Sequence, residues 1–428
     1  MEAMDLVRTD QPLLSLRCTK DMPKEYWQAA IDLVRTGLGF PAVYNDELII
    51  ATKTKLGVAE EDMWNYALMG CVEPVIPGKE YSYQGECLLS WGKVLELVLF
   101  DGYNESSGVE IEMAEKHELV EFVTFTDFYE WFKRELLFFI DRGIQQSKLL
   151  NAVQYKRWPI AFLSSTMDGP YKSGKDVTAG GAKYSFGTLN AIGMADVVDS
   201  LQAIKELVFE RKQLSLTEFS EILKNDYVGS EALLNEVLNL SNKYGNDVKE
   251  VDAMMKELTD LAAAAISAQT NQWGNPYQAS YISVQHHGYM GKYTAALPNG
   301  RRRGAAMANS LAPCQGAERS GPTATVNSVT TVDHGKLANC MVFDLKFSPA
   351  FLASPAHQEG LINLIKTYFA KGGMEMQINV VDRETLVNAQ KNPEQYKNLI
   401  VRVSGFSAHF IYLDKTVQDE LIKRTEHA

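Results

Sequence analysis

Val401-Arg402-Val403-Ser404-Gly405-Phe406-Ser407-Ala408 is the stretch on which the reading of this 428-residue chain turns. It holds no acid, no general base and no set of metal ligands placed to act. Its chemical interest lies in the glycine. A radical centred on a backbone α-carbon must flatten so that the flanking amide nitrogen and carbonyl share the unpaired electron, and only glycine does so without a side chain against the backbone. The ordinary explanation of a lone glycine is a turn that needs positive φ. Here the residues on either side point past that explanation.

Arg402 to Ala408 resembles the hallmark of the glycyl radical enzyme family (the pyruvate formate-lyase-like superfamily), Arg-Val-x-Gly-aromatic-Ser-Ala near the C-terminus. Asp382 to Asn392 and Pro393-Glu394-Gln395-Tyr396 are similar to the family's approach to that segment. The resemblance implies that Gly405 stores a radical. It also implies a partner, a radical S-adenosylmethionine activase with a 4Fe-4S cluster, that removes the hydrogen atom, so no tightly bound cofactor is expected in this chain.

A second motif, Gly70-Cys71-Val72-Glu73-Pro74, precedes Pro77-Gly78-Lys79. A stored carbon radical is too stable and too remote to attack a substrate, whereas a thiyl radical is a small, strong hydrogen-atom abstractor, so a cysteine is needed between store and substrate. By itself Cys71 would be a packed thiol. Its context resembles the Gly-Cys-x-Glu-Pro loop of the family's eliminases and decarboxylases, which implies the thiyl role for Cys71. Glu73 has its own rationale: loss of a hydrogen atom makes an adjacent hydroxyl or carboxyl more acidic, and a nearby carboxylate can take the proton. Two residues apart in an extended loop, the two side chains share a face.

The resemblance also bears on the kind of lyase. The formate acetyltransferase subgroup has two adjacent cysteines in this loop; Gly70 precedes Cys71 here, which disfavours acyl transfer. Diol dehydratases of the family follow the loop with a Trp-His-Asp type segment, and Tyr83-Gln84-Gly85-Glu86 stands in its place. Glu86 is a candidate replacement acid, and Tyr83 with Tyr81 a candidate aromatic substrate lining; packing explains the tyrosines equally well. The expected activity is cleavage of a C–C, C–O or C–N bond in a small organic substrate, by a decarboxylase or a dehydratase-type eliminase.

Composition limits the alternatives. A net charge of −12 does not supply the basic field that phosphate backbones or anionic membranes require. Arg301-Arg302-Arg303, after the turn signal Pro298-Asn299-Gly300, reads as a solvated or ion-paired loop. The five cysteines are odd in number and never spaced CxxC, so neither a disulfide framework nor a structural zinc site is indicated. His286-His287, read in a strand, would face opposite sides, with no third ligand nearby. No apolar run is long enough to span a bilayer and no secretory signal is visible, which makes the cytoplasm the expected location.

Helical spacing predicts helices over 24–37, 126–149, 191–211, 216–224, 248–270 and 358–370, and Asn45-Asp46 reads as a turn. Short apolar runs at 40–44, 161–163, 340–344 and 376–381 suit extended or buried strands. The alternation predicts an α/β fold. The Lys175 to Tyr184 run lacks Walker spacing and reads as a tight loop lining the barrel.

From the family resemblance, the fold would be the C-terminal half of a ten-stranded α/β barrel. Residues 1–297 would form the barrel part carrying the cysteine loop, and residues 298–428 the glycyl radical domain. The resemblance runs from about Pro12 to the end, and family members of this type are about twice as long. Half a barrel leaves an uncovered edge and an apolar face, so an N-terminal-half partner chain or self-association into a homo-oligomer is expected. A non-catalytic fragment, or one subunit of a split enzyme, is the competing expectation.

Overall fold

The computed structural model describes residues 1–427. Its strands, in chain order, are β1 (Ser15–Cys18), β2 (Ala42–Asn45), β3 (Ala67–Met69), β4 (Glu73–Val75), β5 (Cys87–Ser90), β6 (Tyr103–Asn104), β7 (Val109–Glu110), β8 (Gly187–Ile192), β9 (Tyr277–Ser280), β10 (Asp344–Phe347), β11 (Glu375–Val380), β12 (Ile400–Arg402) and β13 (Ser407–His409). They alternate with helices, the longest over Phe125–Arg157 and Lys249–Ser267, and the class is α/β as the alternation predicts.

Two sheets carry the architecture. In one, β5, β8 and β9 run parallel in that order; in the other the order is β1-β2-β11-β10. A parallel bridge between Tyr281 and Met341 links the end of β9 to the approach of β10. The result is a run of five parallel strands, β5-β8-β9-β10-β11, followed by β2 antiparallel to β11 and β1 parallel to β2. All residues of β8, β9, β10 and β11 are buried, with both faces covered, as in parallel sheets packed between other elements. β5 and β1 end the run and pair on one side only among the described residues.

Polar residues interrupt the apolar strands at a period of two. On β11, Glu375, Gln377 and Asn379 share one face while Met376, Ile378 and Val380 share the other, and all six are buried. The apolar face packs into the main core. The polar face carries the groups that meet the Gly405 loop. A smaller apolar cluster, including Val381, Leu386, Val403, Phe410 and Leu421, supports that loop from the C-terminal side.

Most of the expected helices are present, including Lys24–Val34, Phe125–Arg157, Met194–Ile204, Leu216–Lys224 and Pro355–Ala370. Four local readings are corrected. Asn45-Asp46 starts a helix: the Asn45 side chain accepts from the Leu48 amide and caps Asp46–Lys55. Residues 161–163 lie in the helix Ala161–Ser165, with Phe162 exposed; Asp176 accepts from the Ile160 amide and the Ser164 hydroxyl and so closes that helical turn.

His286 and His287 begin the helix His286–Lys292, so the strand geometry does not apply; His287 is buried with Nε2 3.6 Å from Glu420. Arg301 is buried, because its guanidinium serves the carbonyls of Gly291, Ala295 and Ala305, whereas Arg302 and Arg303 pair with Asp226 and Glu105. Lys183 is held by Asp62 at 2.7 Å, which gives this lysine a structural partner. No helix of the described residues is long and apolar enough to cross a membrane.

Candidate active site

β12 and β13 form an antiparallel hairpin whose loop, Val403 to Phe406, carries Gly405 at φ +83°. Val403 donates its amide to the Phe406 carbonyl at 2.8 Å and narrows the loop. The tip is pressed against the β3–β4 hairpin, whose turn contains Cys71. A Cβ placed on Gly405 would lie 2.5 Å from the Cys71 Cβ, inside any van der Waals contact. Glycine is therefore required twice at this position, by φ and by the neighbour.

The loop is held by paired amides. Asn379 accepts from the Arg402 amide and donates to the Arg402 carbonyl, both at 2.8 Å. Gln377 Oε1 accepts from the Gly405 amide at 3.0 Å and from Arg402 Nε at 2.7 Å. Gly39 lets the preceding segment approach: a Cβ there would sit 2.8 Å from the Arg402 Cβ. On the other side, Ser404 joins Ser283 and Ser310 in a buried hydroxyl cluster, and the Val403 carbonyl accepts from Asn309 and from Arg424. Arg402 is fully buried, 5.6 Å from the centre of the Phe40 ring.

Cys71 is half-buried and free. Burial, reinforced by the negative charge of Glu73, pushes its thiol up to about 12, so it stays protonated near neutral pH. Tyr44, on β2, donates to the Cys71 carbonyl at 3.5 Å. Glu73 folds back on the same turn: its Oε2 accepts from the amides of Cys71 at 3.1 Å and Val72 at 2.9 Å. Burial raises the Glu73 carboxyl above its ordinary value, against the pull of those amides. Gly405, Cys71 and Glu73 are thus brought together.

Glu86 and Tyr83 lie in a different set of contacts. Glu86 accepts from Asn151 and from the Tyr277 hydroxyl, both at 2.6 Å, and from the Thr188 amide. Tyr83 donates to the Thr178 carbonyl and stacks on Trp273 with ring centres 5.8 Å apart. Neither residue contacts the Cys71 turn through a hydrogen bond among the described residues. Among those residues no group of three or more His, Cys, Asp or Glu side chains is arranged to hold a metal ion.

Sequence reasoning missed the residues that anchor the Gly405 loop: Gln377, Asn379, Asn309, Asp344 and Arg424. A signal was there in β11, where polar residues alternate through a strand otherwise fit for a fully buried sheet. Such alternation sets one face of the strand apart for polar partners.

With this geometry in view, residues 1–291 match the pyruvate formate lyase-like family model, and residues 307–411 match the glycine radical model. The chain belongs to the pyruvate formate lyase-like family. Within it, the chain is 33% identical over 426 residues to trans-4-hydroxy-L-proline dehydratase of Clostridioides difficile, a match covering 100% of this chain and 54% of that protein. It is 31% identical over 432 residues to (2S)-3-sulfopropanediol dehydratase of Klebsiella oxytoca, covering 100% of this chain and 52% of that one.

Among solved structures of the family, the glycerol-bound B12-independent glycerol dehydratase from Clostridium butyricum superposes with a TM-score of 0.94 at 35% identity, over 100% of this chain and 54% of that chain. The chain spans about half the length of the relatives it matches.

Proposed function

We propose that this chain carries the radical machinery of a glycyl radical lyase of the eliminase type, with Gly405 as the store, Cys71 as the hydrogen-atom abstractor and Glu73 as the general base. The contact of the Gly405 tip with the Cys71 turn is the observation that carries the reading, because hydrogen-atom transfer needs the two groups in near contact. Once an activase has removed a hydrogen atom from the Gly405 α-carbon, that carbon takes the hydrogen of the Cys71 thiol; a C–H bond forms, the S–H bond breaks and a thiyl radical results.

The thiyl radical takes a hydrogen atom from a carbon that bears a hydroxyl. Glu73 accepts the now acidic hydroxyl proton, and the electron density that this frees expels the group on the neighbouring carbon. The product radical recovers the hydrogen atom from Cys71. Relatives that dehydrate a hydroxyproline, a sulfopropanediol and glycerol support a small hydroxylated substrate and C–O cleavage. The position of Glu73, and a thiol kept protonated by burial, both fit these steps.

We assign residues 1–297 to the barrel part and 298–428 to the radical domain, and the seven-strand run to one portion of a ten-stranded barrel. The open edges at β5 and β1, together with the half-length match, favour a second reading in which this chain turns over substrate only with a complementary N-terminal portion. Anaerobic incubation with a radical S-adenosylmethionine activase tests the first step. A glycyl doublet in electron paramagnetic resonance is expected, and its absence after verified activase turnover would remove the radical assignment. Product formation from small polyols or hydroxyproline with this chain alone would remove the need for a complement; turnover only after addition of a chain homologous to the relatives' N-terminal half would establish it.

A further inference from the structure

We propose that Gln377 is a positioning residue that sets the plane of the Gly405 peptide for hydrogen-atom exchange with Cys71, an inference that rests on the reading of Gly405 as the radical store. Its Oε1 is the shared acceptor of the Gly405 amide and of Arg402 Nε. The delocalised radical extends onto the amide nitrogen of Gly405, so a hydrogen bond to that N–H acts on an atom that shares the unpaired electron. The same oxygen anchors the Arg402 guanidinium, whose Nη1 and Nη2 have no partner among the described residues.

The orientation of the amide is dictated from behind. An amide oxygen and nitrogen differ only in what they bond, and here Gln377 Nε2 donates to Asp344 Oδ1, which obliges Oε1 to face Gly405. Asp344 in turn accepts from Asn309 at Oδ2 and lies 3.4 Å from Arg424 Nη1. Arg424 is fixed by Glu420 at 2.8 Å and donates to the Val403 carbonyl at 2.7 Å, which returns to the loop two residues before Gly405. Asn309 donates to that same carbonyl at 3.3 Å. The chain Gly405, Gln377, Asp344, Arg424, Val403 is therefore a closed polar ring, hydrogen-bonded except at the Asp344–Arg424 ion contact, buried except at the part-buried Arg424, and tied to the hairpin at two points.

No atom of this ring hydrogen-bonds to Cys71 or Glu73, so its effect on substrate binding is small while its effect on transfer is direct. Gln377→Met removes the acceptor at similar volume. The double variant Gln377→Glu/Asp344→Asn reverses the bond between the two side chains, keeps Oε1 as the acceptor of the Gly405 amide and leaves Asn309 its acceptor on residue 344, while giving up the 3.4 Å ion contact with Arg424. The activated protein, supplied with its N-terminal complement where turnover is read, should show an altered glycyl hyperfine pattern in the Met variant and a kcat lower by about tenfold or more, with KM within about twofold.

The double variant should return both the line shape and most of kcat. A Met variant with the wild-type line shape and kcat would overturn the inference while leaving Gly405 as the store. A wild-type protein with no glycyl signal would take down the underlying reading and this one with it. Should the Met variant fail to fold, Gln377→Glu alone takes its place, because it sets a carboxylate against Asp344: an altered line shape that Asp344→Asn restores supports the role, and an unaltered line shape in the single variant overturns it.

Discussion

The Gly405 α-carbon and the Cys71 side chain are neighbours across two hairpins, so close that a methyl group on Gly405 would stand 2.5 Å from the Cys71 Cβ. They are far apart in sequence, and the paired strands β2 and β11 tie down both loops: Tyr44 on β2 donates to the Cys71 carbonyl, while Gln377 and Asn379 on β11 accept from the amides of Gly405 and Arg402. Fold and candidate chemistry coincide at this contact.

Gly405→Ala should therefore fail for two separable reasons. The alanine radical cannot flatten freely, and the methyl group must displace the Cys71 turn while holding a φ of +83° that L side chains resist. The expected result is no glycyl signal after activation and a loss of at least about 1–2 kcal/mol in denaturant titrations. A persistent glycyl doublet in this variant would place the radical elsewhere.

Cys71→Ser and Glu73→Gln should divide the chemistry. A serine O–H bond is too strong for the glycyl radical to break, so the Ser variant should hold the radical and lose turnover. The side-chain oxygen left by Glu73→Gln can still accept from the amides of Cys71 and Val72, which preserves the turn and removes only the base. A drop of about 10²–10⁴ in kcat with an unchanged radical yield is expected. Because burial lifts the Glu73 carboxyl and the base must be ionised, wild-type activity should fall as pH drops through a value above 4.5. That acid limb should vanish in the Gln variant, and its retention would assign the limb to another group.

The legible and illegible parts of the sequence differ in kind. Gly405, Cys71 and Glu73 stand out as candidates because the proposed chemistry calls for those residue types in short contiguous motifs, and the fold brings the three together. Gln377, Asp344 and Arg424 are not, because each is an ordinary polar residue whose partner lies on another element. The α/β class follows from alternating periods, yet residues 161–163 read falsely as a strand, since three apolar residues carry no period of their own. Asp176, further along the chain, decides that helix. Arg301 misleads in the same way: charge suggests solvent, while three backbone carbonyls make a buried site for it. Local composition is blind to such distant acceptors.

A buried ion pair fixes the segment that follows the cysteine turn. Lys53 Nζ lies 2.9 Å from Glu80 Oε1, and both side chains are almost wholly removed from solvent. Glu80 also accepts from the Ile76 amide and the Ser82 hydroxyl, which pins residues 76–82 directly after β4. Lys53→Met leaves an unpaired buried carboxylate and should cost about 3–5 kcal/mol. Lys53→Met/Glu80→Gln removes the charge while keeping an acceptor for Ile76, and should recover much of that loss. Equal destabilisation of the single and double variants, measured by urea titration, would show that the pair matters for packing and not for charge.

His334 makes the fold sensitive to acid. Its Nδ1 accepts from the Met374 amide at 3.2 Å and its Nε2 meets the Val329 carbonyl at 3.0 Å, so the backbone selects the neutral tautomer with the proton on Nε2. Burial lowers the ring from 6.5 to about 4, against the smaller opposing effects of the Val329 carbonyl and Asp333. Between those values the unfolded chain binds a proton that the folded chain refuses, so stability rises with pH there. The contribution is complete above about 6.5 and is lost as pH falls toward about 4, a difference of about 3 kcal/mol.

His334→Gln can offer an acceptor to Met374 and a donor to Val329 without titrating. Its urea midpoint should be lower than wild type at neutral pH, and its decline between about pH 6.5 and 4 correspondingly shallower. Parallel pH profiles of the two proteins across that window would acquit His334 and leave the acid lability to other groups, among them His427, whose ring burial also lowers to about 4, and His286, which burial lowers as well.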